Sequence, residues 1–234
     1  MTETRPTDRP KGPPVDPAPA PRPERKVLDG RFVRLEPLDA ARHGPALWRS
    51  VAGADAVWDY LFDGPYADEA GLAADLAAKA ASSDPLFWAI VDAASGHAVG
   101  YAALMRQEPA HRAIEVGNVL FTPALQRRPA ATEAMALLAG YVFDGLGYRR
   151  YEWKCNALNA PSRAAAERLG FTFEGVFRQH MIVKGRSRDT AWYAMTDRDW
   201  PAARRAFDLW LAPDNFDENG RQRRGLAALR TPAP

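Results

Sequence analysis

The chain has 234 residues, with 31 Lys and Arg against 29 Asp and Glu, a formal net charge of +2. Its 47% hydrophobic and 26% charged content is that of a globular protein, which excludes a disordered chain, a collagen-like repeat or a coiled coil as the main architecture. The near-neutral balance argues against a dedicated DNA binder, and a single cysteine excludes an internal disulfide framework or a multi-thiolate metal site.

Residues 1–26 hold 8 of the 20 prolines and almost no large apolar side chain, so a disordered, Pro-rich tail is expected there. That segment lacks the apolar centre of a secretory signal, and no apolar run reaches the roughly 18–20 residues of a membrane span. A cytoplasmic protein with no membrane partner is the expectation.

The folded region is expected over 27–212. Phe32, Val33, Leu35 and Leu38, with charges between them, predict a strand ending near Pro37. Asp39 caps a helix through about Val51, and Asp68 opens an Ala-rich helix through about Ala81. Between them lies a loop rich in aromatics: Trp58, Tyr60, Phe62 and Tyr66. Leu86–Val91, Val99–Leu104 and Ile114–Phe121 predict an antiparallel meander. Helical spacing then runs from Ala130 to Leu146, where Gly147 stops it. A strand over Arg150–Cys155, a short helix over Pro161–Leu169 and a hairpin of Phe171–Val183 with Arg188–Met195 follow. Asp197 is expected to cap a last helix through about Trp210, and residues 213–234 form a polar, mobile tail. The strand–helix–strand step from Ile114 to Cys155 requires a parallel crossover, so a mixed α/β sheet with helices on its faces results.

Two stretches carry chemistry. In the first, a strand ends at Thr122-Pro123, and Gln126-Arg127-Arg128-Pro129 leads into a helix that opens with Ala130, Ala131 and Thr132. Free N–H groups at a helix start, small side chains and two arginines suit a phosphate, although an ordinary strand–helix connection looks the same. Neither a Walker loop nor a dinucleotide fingerprint is present. In the second, a strand runs into Asn156-Ala-Leu-Asn159-Ala-Pro-Ser162, and the helix that follows closes on Gly170-Phe171.

Together these stretches resemble the GNAT (Gcn5-related) N-acetyltransferases, in particular the branch that includes ribosomal-protein N-terminal acetyltransferases. The resemblance spans about Arg31 to Met195. It implies a mostly antiparallel sheet with one splayed parallel pair, and acetyl-CoA or another acyl-CoA as cosubstrate with no metal. The family's loop pattern is Gln/Arg-x-x-Gly-x-Gly/Ala; Gln126 and Ala131 fit its ends, while Pro129 replaces the middle Gly. The resemblance assigns Gln126, Arg127, Arg128, Ala130, Ala131 and Thr132 to the pyrophosphate, and backbone near Val119, Leu120 and Phe121 to the pantetheine arm and the oxyanion. Asn159 maps to the arm, and Ser162 lies near the thioester sulfur or only caps its helix. The family's tyrosine acid falls on Ala166, which leaves Ser162 as the candidate partner of the leaving thiolate.

Glu115 is the first candidate general base and His180 the second. Each has a plainer reading, as a solvated strand residue or a structural histidine. Trp58, Tyr60 and Phe62 form either the acceptor wall, with Arg178 opposite, or ordinary core. The implied function is N-acyl transfer, acetyl by default and succinyl as a variant, to a primary amine on a small molecule or peptide. A non-catalytic CoA-binding or regulatory module is the alternative, given Pro129 and Ala166. Nucleic acid is not an expected partner, and an exposed strand edge allows a homodimer.

Overall fold

The structure is a computed structural model that describes residues 11–230. In chain order its elements are β1 (Leu28–Asp29), β2 (Val33–Pro37), α1 (Ala40–Val51), α2 (Glu69–Ala81), β3 (Leu86–Asp92), β4 (Ala98–Glu108), β5 (Ala113–Phe121), α3 (Pro129–Gly140), β6 (Arg150–Asn156), α4 (Ala160–Leu169), β7 (Thr172–Val183), β8 (Arg186–Thr196), α5 (Trp200–Leu211) and α6 (Leu226–Arg230). The expected alternation is observed, with β1 and α6 in addition.

Caps fix the helix boundaries. The Asp39 and Asp68 carboxylates accept the amides of Arg42 and Gly71, satisfying donors that the first helical turn leaves without partners. Asp199, rather than Asp197, precedes α5; it accepts from the backbone N–H and hydroxyl of Thr196. The long helix expected over 130–146 is α-helical only to Gly140 and ends in a π turn over Tyr141–Gly145. There Phe143 stacks on Trp200 with ring centroids 5.3 Å apart.

The eight strands form one sheet in the order β1-β2-β3-β4-β5-β6-β8-β7. All neighbours are antiparallel except β5 and β6. Helices cover both faces. Trp88 and Ile90 of β3 point into a core built with α3 and α5, while Phe87, Ala89 and Val91 point into a second core under α1 and α2. A strand buried on both sides reads as a continuous apolar run, as Leu86–Val91 does.

The tails differ from expectation. Of the segment 1–26, residues 1–10 lie outside the described residues. Residues 11–26 have no helix or strand, yet they are strapped across the fold. Ala20 N–H donates to the Pro109 carbonyl at 3.0 Å, Glu24 N–H to the Tyr141 hydroxyl at 2.9 Å, and the Trp88 indole to the Lys26 carbonyl at 2.7 Å. A Pro-rich chain loses little entropy on ordering, so a few backbone bonds can hold it without an apolar face. At the other end, Leu226 and Leu229 of α6 are buried, and Arg230 donates to the last carbonyls of α4, Glu167 and Arg168. Residues 213–230 are therefore folded against the domain; 231–234 lie outside the described residues.

Candidate active site

Parallel pairing of β5 with β6 runs only from Ala113 opposite Arg150 to Val116 opposite Trp153. Beyond that point β5 follows β4, and β6 follows β8, so the two strands part. A cavity of about 800 Å³ fills the gap.

A bulge shapes the β5 wall. Gly117 pairs with Ala103 and Leu120 with Tyr101, so Asn118 and Val119 together oppose Ala102. Asn118 takes a left-handed φ of +47° there. One extra residue reverses the strand's alternation. Ile114 and Val116 face the α3 core, but beyond the bulge Leu120 faces the α1–α2 core, while Val119 and Phe121 turn toward the α3 side. Val119 and Phe121 line the cavity and Leu120 does not. Gly117 lets the Met105 side chain lie close against the strand, since a Cβ there would meet its sulfur at 2.5 Å and push that side chain aside.

Past β5 the loop tightens before α3. The Gln126 amide nitrogen donates to the Phe121 carbonyl at 2.9 Å, so this side chain braces the loop. Arg127 has φ +60°. The sequence leaves four amides for an anion, but two are used locally: Arg128 N–H donates to Leu125 O, and Ala131 N–H to Arg128 O. Those of Arg127 and Ala130 have no backbone partner among the described residues. Pro129 is the first residue of α3, where an N–H has no intrahelical partner anyway, so the helix loses no bond, although the loop offers an anion one donor fewer. Arg127, Arg128 and Ala131 line the cavity, whereas the Ala130 side chain is buried in the core. Thr132 also lines it, its hydroxyl accepting from Arg168 at 3.0 Å. Cavity size, two free amides at a helix start and flanking arginines fit a phosphorylated cosubstrate such as CoA.

Opposite lies the start of α4. Asn159 is its N-cap, accepting from Ser162 N–H at 3.1 Å. The Ser162 hydroxyl accepts from the Trp153 indole at 3.0 Å, which leaves its own hydrogen to donate. Burial pushes the neighbouring Cys155 thiol up, against a hydrogen bond from Ser162. Ala166 is fully buried and supplies no hydroxyl.

The third wall carries charge. Glu115 is 4% exposed, and its Oε2 lies 3.0 Å from both Arg106 and Lys154. Burial pushes its carboxyl above the ordinary value, with the two cations opposing. Lys154 also reaches Glu152 at 2.7 Å. His180 sits in a wide bulge of β7, where Arg178, Gln179 and His180 together oppose Asp189. The Asp189 carboxylate accepts Gln179 N–H at 2.7 Å and so holds the bulge. His180 Nδ1 is 3.0 Å from the Thr190 hydroxyl, and burial plus Arg106, Arg188 and Lys154 push the imidazole below its ordinary value.

Of the aromatic loop, Tyr60 and Phe62 line the cavity, and the Tyr60 hydroxyl donates to the Leu158 carbonyl at 3.3 Å. Trp58 does not: it is 1% exposed and packs edge-on to Tyr66 in the α1–α2 core. Arg178 belongs to the His180 bulge but lies outside the lining. Sequence reading missed Arg106, Lys154, Arg168 and Arg188, all of which line the cavity. The usable signal for Arg188 was alternation, because Arg188, Thr190 and Trp192 share one face of β8.

Comparison with known proteins agrees with this geometry. A sequence model of the acetyltransferase (GNAT) domain matches residues 33–172. A GCN5-related N-acetyltransferase from Brucella melitensis is 52% identical, with 91% of this chain and 97% of that one covered and a TM-score of 0.89. A probable acetyltransferase of the GNAT family from Chromobacterium violaceum ATCC 12472 is 43% identical, with 84% and 100% covered and a TM-score of 0.77. Among curated proteins, the "Putative ribosomal N-acetyltransferase YdaF" of Bacillus subtilis (strain 168) is 29% identical over 105 residues; that match spans 45% of this chain and 57% of the relative's length. With the splayed pair, the bulged strand and the domain match in agreement, the chain belongs to the GNAT family of acetyltransferases.

Proposed function

We propose that the protein is a cytoplasmic N-acyltransferase that moves an acyl group from acyl-CoA, acetyl by default, to a primary amine of a small molecule or a peptide. One observation carries this reading: the parting of β5 and β6 after Val116 and Trp153, with a helix start and its free amides at one end of the gap and a titratable histidine at the other. A ribosomal amine is the acceptor class suggested by the name of the Bacillus relative.

The cosubstrate supplies a thioester, so the amine nitrogen forms a C–N bond as the C–S bond breaks. The amine loses one proton and the departing thiolate gains one. His180 takes the amine's proton, since a lowered pKa keeps its imidazole neutral at pH 7. Thr190 holds the ring through Nδ1, leaving Nε2 for the proton. Glu115 balances Arg106 and Lys154 and serves as the electrostatic floor rather than the base. The Val119 amide, at the β5 bulge, stabilises charge on the carbonyl oxygen. Ser162, whose hydroxyl accepts from Trp153, turns its one hydrogen from Cys155 toward the departing sulfur. No covalent enzyme intermediate is needed, and Cys155 stays buried. A homodimer through β7 completes the proposal, because this edge strand exposes Val176, Phe177 and Ile182.

The deciding experiment is release of free thiol from acetyl-CoA with and without a panel of peptide and small-molecule amines. Amine-dependent release is expected. Binding of CoA with no amine-dependent release from any acyl-CoA would overturn the reading.

A further inference from the structure

We propose that Arg188 anchors a carboxylate carried by one of the two substrates, either at the free end of the acyl chain or on the amine acceptor. This inference rests on the acyl-transfer reading of the same cavity and narrows its substrate class.

Arg188 lines the cavity and is only 6% exposed. A buried guanidinium is normally matched by a carboxylate or by several carbonyls, because an uncompensated charge away from water is costly. Arg188 has neither. Among the described residues no ion pair or hydrogen bond engages it, and its Nε is buried without a partner. Its charge faces the ring of Phe62, 5.1 Å from the ring centroid, which is a weak substitute for an anion.

The nearby acidic groups are committed elsewhere. Glu115 is shared by Arg106 and Lys154, and Glu152 by Lys154 and Arg150. Arg150 also pairs with Glu174, so Arg106, Lys154 and Arg150 are matched by three carboxylates and Arg188 is the cation left over. The cosubstrate's phosphates do not account for it. Arg188 stands on β8, which is separated by β6 from β5 and the loop that leads to α3. A planar fork of N–H donors at that position fits a bidentate carboxylate.

The test compares wild type with Arg188→Met and Arg188→Lys in two arms. In the donor arm, calorimetry and thiol release are measured with acetyl-CoA and succinyl-CoA, beside free CoA. In the acceptor arm, turnover is measured with the dipeptide Ala-Ala and with its C-terminal amide. A preference of about 10-fold or more for the carboxylate form is expected in one arm, and that arm identifies the source. Arg188→Met should abolish the preference and Arg188→Lys keep part of it, with affinity for free CoA unchanged. Wild type that shows no preference in either arm overturns the proposal, as does a preference that survives in Arg188→Met. If Arg188→Met does not fold, wild type and Arg188→Lys decide. Failure of wild type to bind free CoA at all is a distinct result and sinks the acyltransferase reading instead.

Discussion

The two ends of the cavity are built on different principles. The proposed donor end, from the β5 bulge through Arg127 to α3, offers mainly backbone amides and small side chains. The proposed acceptor end, on β7, β8 and the α1–α2 loop, offers side chains: His180, Arg188, Phe62 and Tyr60. Pro129 deletes its own N–H but leaves those of Arg127 and Ala130; apart from proline, backbone amides survive substitution. Side chains do not, so the acceptor end is where this protein can differ from its relatives. Truncation should therefore damage the acceptor end most, while the donor end should yield only to lost anchoring or to intruding charge.

The largest effect is expected at the acceptor end. His180→Gln removes the proposed base and should lower kcat by about 10²–10⁴-fold with little change in acyl-CoA affinity. The pH profile gives the sign. A histidine held below its ordinary value is neutral at pH 7, so kcat/KM should fall as pH drops through an apparent pKa below 6.5, and that limb should vanish in His180→Gln. If Glu115→Gln abolishes the limb and His180→Gln does not, the roles are reversed.

At the donor end the greatest cost comes from beneath. Glu133 of α3 is buried and accepts the amides of Arg31, Phe32 and Val33 at 2.8, 2.6 and 2.8 Å, tying the helix to the start of β2. Glu133→Ala should leave these donors without a partner and reduce unfolding stability by about 3 kcal/mol, read by urea denaturation. A shift under 0.5 kcal/mol would show that water replaces the carboxylate. Ala131→Glu sharpens the contrast further. A carboxylate in the first turn is favourable to α3 itself, so the fold should be kept. It would repel phosphate, and calorimetry should show CoA affinity falling by roughly 100-fold. Unchanged affinity would move the phosphate site away from this helix.

The same contrast explains what could be read in advance. Helix caps such as Asp39 and Asp68, the crossover from β5 to β6 and the stop at Gly170 are local signals, and each is observed. The segment proposed as the donor end is contiguous in the chain, a strand, a loop and a helix start, and its place beside the cavity was legible for that reason. The acceptor end is assembled from residues far apart, and its bulges break the period-2 pattern that locates a strand's faces. Arg178 and His180 differ by two positions and would share a face in a regular strand, yet only His180 lines the cavity. Trp58 could not be told from Tyr60 and Phe62 without the α1–α2 core that takes it. The strap over 11–26 was missed because composition counts apolar surface and not backbone hydrogen bonds.

The mildest substitution tests whether the β7 bulge positions the base. Asp189 touches no substrate group in the proposed reaction; among the described residues its carboxylate accepts Gln179 N–H alone, and Gln179 has φ +50°. Non-glycine residues in that conformation need local support. Asp189→Ala removes the support, so His180 should drift from its place, and kcat should fall by about 10-fold with acyl-CoA affinity unchanged. A purely structural role would stop there. A positioning role also moves the pH profile: His180 is held below its ordinary value partly by Arg106, Arg188 and Lys154, so a displaced ring should titrate closer to 6.5. Asp189→Asn keeps an acceptor oxygen for Gln179 and should restore both rate and limb. If Asn fails to rescue while the limb stays where it was, the bulge does not depend on that hydrogen bond, and His180 is held by Thr190 alone.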